Sequence, residues 1–172
     1  MADRTVTDRG YGEKLIDLND SGAMGFASPQ PYVAYTLLAS AAVAAAGTVT
    51  GSAITGFGCY RKAVFLLDVT AAATEANDTL DVYIDLSVNA GTTWTNVVHF
   101  TQVVGNGGAK QFAATLSAET PGTSVIATSA DAAAGAVRPT IIADRYRVRH
   151  VIVDPTGSNV SFTFGVYGFF QG

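Results

Sequence analysis

The sequence predicts an all-β protein: an antiparallel β-sandwich, specifically an eight-stranded jelly roll, with an extended N-terminal arm. Three observations support this prediction. Residues 79–87 alternate apolar and polar side chains without a fault, Gly and Pro are concentrated between the apolar segments, and no long stretch has the 3.6-residue period of an amphipathic helix. Alternation with period two separates side chains onto the two faces of a sheet, and short strands joined by such turns are typical of sandwiches.

Further predicted strands flank the alternating segment, in which one face is expected to be buried and the other to be wet. They comprise residues 33–40, 49–54, 63–69, 95–104, 111–116, 145–153 and 159–170. Two alanine-rich pieces, residues 41–46 and 130–136, favour helix by intrinsic propensity. Because both are short, we interpret them as connections between sheets, the second as a single helical turn.

The chain is poor in charge. Charged residues make up 14% of its 172 residues, against about 25% in an average soluble domain. A weakly charged surface resists association poorly, so we expect an oligomer or a subunit of a larger particle. The formal net charge of −4 argues against a dedicated nucleic-acid binder, whose surface is basic.

Residues 1–31 differ from the rest of the sequence. They hold eight of the chain's 24 charged residues and have no sustained apolar period. We predict that residues 1–31 form an extended arm that gains order by lying on another surface, with a disordered or locally packed tail as the alternative. Residues 32–172 are the predicted sandwich domain.

Few residues suit metal, redox or catalytic chemistry. Cys59 is the only cysteine, and with His99 and His150 it offers no spacing suitable for zinc. The sequence has no Gly-x-Ser-x-Gly motif and no phosphate-binding loop. The longest apolar stretch, residues 32–46, is shorter than the roughly 20 residues of a membrane-spanning helix. We expect no catalytic residues, cofactor, metal or membrane partner, and therefore no enzyme.

Residues 87–94, Ser-Val-Asn-Ala-Gly-Thr-Thr-Trp, resemble the Asp-box hairpin motif, with Asn89 in place of its Asp. An Asn side chain caps turn amides as Asp does, Gly91 permits a positive φ, and Trp94 covers the turn. The single copy argues against a propeller, in which the motif recurs. We interpret Ser87, Asn89, Gly91 and Trp94 as a structural hairpin, with sugar binding by Trp94 as the alternative.

Arg145, Arg147 and Arg149 recur at every second position, so they project from one face of a strand. Three like charges in a row require anions nearby, and Asp81 and Asp85 form a matching stripe. We predict ion pairs across strands or between subunits, and we assign these five residues to an oligomer or capsid interface. The alternatives are a solvated basic face and a small contribution to nucleic-acid binding.

The ending of the sequence is aromatic. Phe169 and Phe170 lie close to the last residue, where a single domain could hardly bury both. We include both residues in the hypothetical interface, with one of them packing against a neighbouring subunit.

The order of several short segments resembles a class of virion protein. Residues 79–85 lead into the hairpin, and residues 98–103 and a Gly-rich loop follow it. Val137-Arg138-Pro139, Tyr146-Arg147-Val148-Arg149 and the aromatic ending come later. Over residues 60–172 this series resembles small jelly-roll virion proteins of tailed bacteriophages, particularly capsid cement or decoration proteins. The polar arm and Asn89 depart from that pattern.

The resemblance implies a mechanical function. A cement protein binds the assembled major capsid protein at the outer surface of the capsid, after synthesis in the host cytoplasm, and stabilises the shell. It also implies self-association, as a homotrimer or, in some such proteins, a dimer. Two alternatives stay open: a tail, neck or head-fibre component, and a carbohydrate-binding or receptor-binding sandwich that uses Tyr83, Trp94 and Tyr146.

Overall fold

The computed structural model describes residues 6–8, 14–16, 32–118, 128–139, 141–157 and 159–172. The contacts within the chain divide it into two compact units, Met1–Pro31 and Tyr32–Gly172. In the first unit β1 (Val6–Asp8) pairs antiparallel with β2 (Lys14–Ile16). The rest of the predicted N-terminal arm lies outside the described residues.

In the second unit every regular element described is a strand. The strands are β3 (Tyr32–Val43), β4 (Gly47–Thr50), β5 (Lys62–Ala71), β6 (Thr79–Ser87), β7 (Thr95–His99), β8 (Val103–Val104), β9 (Lys110–Ser117), β10 (Arg145–Val153) and β11 (Phe162–Gln171). Each overlaps a segment in which the sequence predicts a strand. The described residues include no helix that could cross a membrane.

The strands form two antiparallel sheets. The first has the order β4-β10-β6-β7, with β8 following β7 along the same side of β6, and the second has the order β3-β11-β5-β9. Because β7 and β8 act as one interrupted strand, each sheet has four strand positions. Apart from the β6–β7 hairpin, successive strands change sheet. This is a jelly roll, and it confirms the predicted fold class.

The core lies between the two sheets and is apolar. From β6 its buried members are Leu80, Val82, Ile84 and Leu86, and from β11 they are Phe162, Phe164, Val166 and Phe170. The ring of Phe170 lies 4.0 Å from that of Phe57 and 5.7 Å from that of Phe65, measured between centroids. Tyr146 joins this cluster, and burial raises the pKa of its hydroxyl to about 12. Phe170 is thus a core residue, and its assignment to an interface was wrong.

Neither alanine-rich segment is helical. Residues 41–43 complete β3, and residues 130–136 form bends and a turn in which Gly135 has a φ of +78°. The prediction of a helical turn was wrong because Ala132 bonds elsewhere: its amide donates to Asn96 Oδ1, and its carbonyl accepts from His99. These long-range bonds outweigh the helix propensity of alanine.

Asp78, just before β6, is fully buried, and neither of its carboxyl oxygens has a hydrogen-bond partner among the described residues. Its backbone amide and carbonyl are bonded to Glu75 and Gly105, which fixes its position. Burial raises the pKa of the Asp78 carboxyl, and the charges of Asp154 and Glu75 raise it further. A carboxyl without donors in such surroundings favours the neutral form.

We expect Phe170→Ala to lower the free energy of unfolding by about 3–5 kcal/mol, because it removes a fully buried ring and leaves a cavity. Phe169→Ala is the matched control, since Phe169 is 39% exposed, and it should have a much smaller effect. Urea unfolding followed by fluorescence measures both. Equal effects would contradict the placement of Phe170 in the core.

We expect Asp78→Asn to stabilise the protein at neutral pH. The pKa of Asp78 is higher in the folded than in the unfolded chain, so the contribution of Asp78 to the free energy of unfolding is most favourable at acid pH. That contribution is lost as the pH rises from about 3.8 through the raised value. The advantage of Asp78→Asn in unfolding midpoint should therefore grow with pH. Asp68→Asn is the control, since the Asp68 carboxylate accepts a hydrogen bond from Gln111; a gain independent of pH would refute the argument.

Candidate functional site

The candidate site is the outer face of the first sheet, where β6 lies beside β10. In their register Arg147 lies opposite Asp85 and Arg149 opposite Tyr83. The arginine side chains point away from the core, because Tyr146 and Val148, which alternate with the arginines along β10, are buried against the second sheet. The two charged stripes seen in the sequence therefore meet on one face.

Asp85 is the centre of this face. Arg147 Nε lies 3.3 Å and Arg149 Nε 3.2 Å from its Oδ2 atom, so one carboxylate serves two guanidinium groups. Its side chain is only 4% exposed. Arg149 Nη2 also donates to Asp131 at 2.7 Å. Burial alone would lower the pKa of Arg149, but its hydrogen bonds with Asp85 and Asp131 and their charges outweigh that effect and raise it.

Aromatic rings support both arginines. The Arg147 guanidinium lies 4.2 Å from the ring centroid of Trp94, and that of Arg149 lies 4.0 Å from the ring of Tyr83. Tyr83 in turn stacks on His99 at 4.1 Å. A cation over an aromatic face is stabilised by the ring quadrupole. The guanidinium groups are thus held from the side by a carboxylate and from one face by a ring.

Asp81 belongs to a different set of contacts. Its Oδ1 atom lies 2.8 Å from His99 Nε2, and its Oδ2 atom accepts a hydrogen bond of 2.7 Å from Gln102. The other ring nitrogen of His99 lies 2.8 Å from the carbonyl oxygen of Ala132. Both nitrogens face oxygens, so the ring is held between the Asp81 carboxylate and the Ala132 carbonyl. Asp81 and Asp85, predicted as one stripe, therefore have separate partners.

Residues 128–139, part of the connection between β9 and β10, lie against this face. Asn96 accepts a hydrogen bond from the amide of Ala132, and Arg138 donates to the carbonyl of Asn96. The outer face of β6 is buried as well as the inner one, including Asp81, Tyr83, Asp85 and Ser87. The predicted wet face was wrong, because the alternation in β6 does not record the side chains of adjacent strands that cover it, such as His99 on Tyr83 and the two arginines on Asp85.

The hairpin between β6 and β7 has the hydrogen bonds that its sequence suggests. Asn89 Oδ1 accepts from the amide of Thr93 at 2.9 Å, and the amide of Gly91 donates to Ser87 Oγ at 2.8 Å. Ala90 and Gly91 have φ values of +58° and +91°. The Trp94 indole N–H donates to the Gly91 carbonyl at 3.0 Å, so the ring is fixed beside the turn. The Arg147 guanidinium lies over one face of the same ring.

The residues predicted for an interface therefore separate into two groups. Asp85 is buried in ion pairs within the chain, Asp81 is nearly buried, and Arg147 and Arg149 are directed toward carboxylates of the same chain. Arg145 and Phe169 keep more exposed surface: the Arg145 side chain is 36% exposed and lies 4.0 Å from Asp144. Phe169 stacks on Tyr32 with ring centroids 5.4 Å apart.

Several members of this network were missed by the sequence analysis. They are Asn96, His99, Gln102, Asp131 and Arg138. Asn96 and His99 flank the apolar pair Val97-Val98 in β7, which is a local signal. The others come from connecting segments whose position depends on the tertiary fold.

The described residues include no group of three or more His, Cys, Asp or Glu side chains placed to hold a metal ion. Cys59 is exposed and has no disulfide partner. On the outer face of the first sheet the described charged side chains form ion pairs and ring contacts with one another.

The order of the strands defines a jelly-roll sandwich of the kind found in viral capsid domains and lectins. A structure of the Gx strain of infectious bursal disease virus is similar, with a TM-score of 0.53 at 12% sequence identity over 99% of this chain and 37% of that chain. The crystal structure of the VP2 subviral particle of infectious bursal disease virus gives 0.50 at 14% identity, over 96% of this chain and 41% of that chain. The chain spans less than half the length of either, and the likeness is one of fold. No family model and no curated protein matches the sequence.

We expect Asp85→Ala to destabilise the fold by about 3–5 kcal/mol, because it leaves two largely buried guanidinium groups without their carboxylate. Asp131→Ala removes the other partner of Arg149, but Asp131 is half-exposed, so about 0–1 kcal/mol is expected. Chemical unfolding of both variants gives the comparison. A cost for Asp85→Ala no larger than that for Asp131→Ala would contradict a central role for Asp85.

Proposed function

We propose that this chain is a virion structural protein, and specifically a capsid cement or decoration protein of a tailed bacteriophage. The observation that carries the proposal is the jelly-roll arrangement of the two sheets, β4-β10-β6-β7 with β8, and β3-β11-β5-β9. The likeness in fold to structures of infectious bursal disease virus supports a place in a viral particle. The decoration role rests on the resemblance of residues 60–172 to that class of protein.

The proposed function is mechanical and involves no catalysis. The protein would bind the major capsid protein from outside the shell and add contact area across the junctions between capsomers. A decoration protein must keep its shape under load, and the outer face of the first sheet suits this role because its charges are paired within the chain. A polar network whose groups are bonded within the protein makes the structure around it more rigid.

The surface supports the same proposal. Charged residues are 14% of the chain, and some of them are used internally, which leaves an exterior rich in small uncharged residues. Exposed large apolar side chains remain on both sheets, among them Tyr32, Val49, Val153 and Phe169. Surfaces of this composition suit permanent contacts in an assembly better than life as a free monomer. We include self-association, as a trimer or dimer, in the proposal.

Cryo-electron microscopy of the virion that the encoding genome produces tests the proposal. We expect density for the chain on the outer surface of the capsid shell. Particles lacking the chain should release DNA at a lower temperature, and adding the purified chain back should restore the release temperature. Asp85→Ala is a useful comparison, since a destabilised sandwich should restore it less. Density confined to the tail or neck, or absence from the particle, would overturn the decoration role.

A further inference from the structure

The two sheets end in four edge strands, and these edges differ in how they are protected. An edge strand presents unpaired backbone N–H and C=O groups to which another strand can bind. Proteins usually protect such edges by shortness, charge, proline or a covering segment. The edges here are β4 and β7 with β8 in the first sheet, and β3 and β9 in the second.

Three of these edges are protected. β4 has only four residues. β7 is covered by residues 135–138: the amide of His99 donates to Ala136, and that of Arg138 donates to Val97. β9 begins with Lys110, and at its other end the amide of Ser117 donates to the carbonyl of Pro139.

Within the part of the chain that the structure describes, β3 has none of these protections. It is twelve residues long, from Tyr32 to Val43, and contains neither a charged residue nor a proline. Within the described part of the chain its ladder partner is β11, on one side. Most of its residues are exposed. The register with β11 shifts twice, on either side of Val166, and such bulges can also protect an edge, but the two strands stay paired before and after them.

An exposed aromatic pair lies beside this edge. Tyr32 is 55% exposed and Phe169 39% exposed, and their rings stack on each other. Phe169 lies between Ala34 of β3 and Val64 of β5, which is also partly exposed. The unprotected edge thus continues into apolar surface on the outer side of the second sheet, where a partner would gain buried area as well as backbone hydrogen bonds.

We propose that β3 is a strand-pairing site at which a second copy of this chain adds its own β3 in antiparallel orientation, so that the second sheet continues across a two-fold axis. In such a pair each position of β3 faces another position of β3. A charge within the strand would then face the copy, and like charges directly opposite are unfavourable. The complete absence of charge from β3 is the complementarity that self-pairing requires. The inference does not depend on the proposed virion role.

The charge of the edge can be changed without disturbing the core. Ala34 and Ala42 are exposed and lie opposite Phe169 and Thr163 on the outer side of the sheet. The double substitution Ala34→Lys with Ala42→Lys should weaken association about tenfold, since like charges directly opposite each other in a strand pair are unfavourable. Ala113→Lys with Thr115→Lys is the matched control, because these residues are exposed on the same face of the same sheet but on β9.

Light scattering coupled to size exclusion, across about a hundredfold range of concentration, measures the outcome for the full chain. We expect dimers for the parent and the control and monomers for the β3 variant, with unchanged circular dichroism. A second variant, Ala34→Glu with Ala42→Glu, should be monomeric alone and form mixed dimers with the lysine variant. Amide exchange at residues 32–43 should slow as the parent associates.

The inference is overturned by a parent that stays monomeric, by association that the β3 and β9 variants weaken equally, or by a trimer unaffected by charges on β3. Loss of folded structure in the lysine variant moves the decision to the glutamate variant and to amide exchange of the parent. Because these measurements concern the purified chain alone, their failure is distinct from failure to find the chain on a capsid.

Discussion

The outer side of the first sheet depends on the burial of one carboxylate, Asp85. A buried anion is tolerated only with cations and hydrogen-bond donors around it, and here two arginines from the neighbouring strand supply both. The arginines would repel each other without it. Their positions in turn fix Trp94 and Tyr83, on which they stack, and draw Asp131 toward the sheet. A single register between β6 and β10 satisfies all these contacts, because a shift of one residue would turn the arginines toward the core.

Local patterns in the sequence predict most of the strands. Strict alternation identified β6, and the turn chemistry of residues 87–94 identified the hairpin that joins β6 to β7. Both patterns involve residues close together in the sequence, so they can be recognised without knowledge of the fold. The spacing of the three arginines and of Asp81 and Asp85 is likewise a local pattern. The two stripes lie on one face of the sheet because β6 and β10 are adjacent strands.

Other features could not be predicted because distant segments determine them. The burial of the outer face of β6 depends on side chains from β7 and β10, and no periodicity in β6 records what covers it. Residues 130–136 favour helix locally, but the hydrogen bonds of Ala132 with Asn96 and His99 hold them in another conformation. The split of the acidic stripe, with Asp81 bound to His99 and Asp85 to the arginines, likewise requires knowing which strand lies on each side of β6. For Phe169 and Phe170, proximity to the chain's last residues argued against burial, yet β11 is a central strand and Phe170 faces the core.

The position of β11 has a consequence for how the protein folds. β11 lies between β3 and β5, and in its ladder Gln171 pairs with Tyr32 and Lys62. β3 and β5 therefore cannot form their ladders with β11 until β11 has been synthesised, although both are made much earlier. Contacts between residues so far apart in sequence slow folding and prolong the exposure of unpaired strands. In a cell, the interval between synthesis of β3 and arrival of β11 is the time when this chain is most open to mispairing, so chaperones that hold extended apolar segments should matter most at that stage.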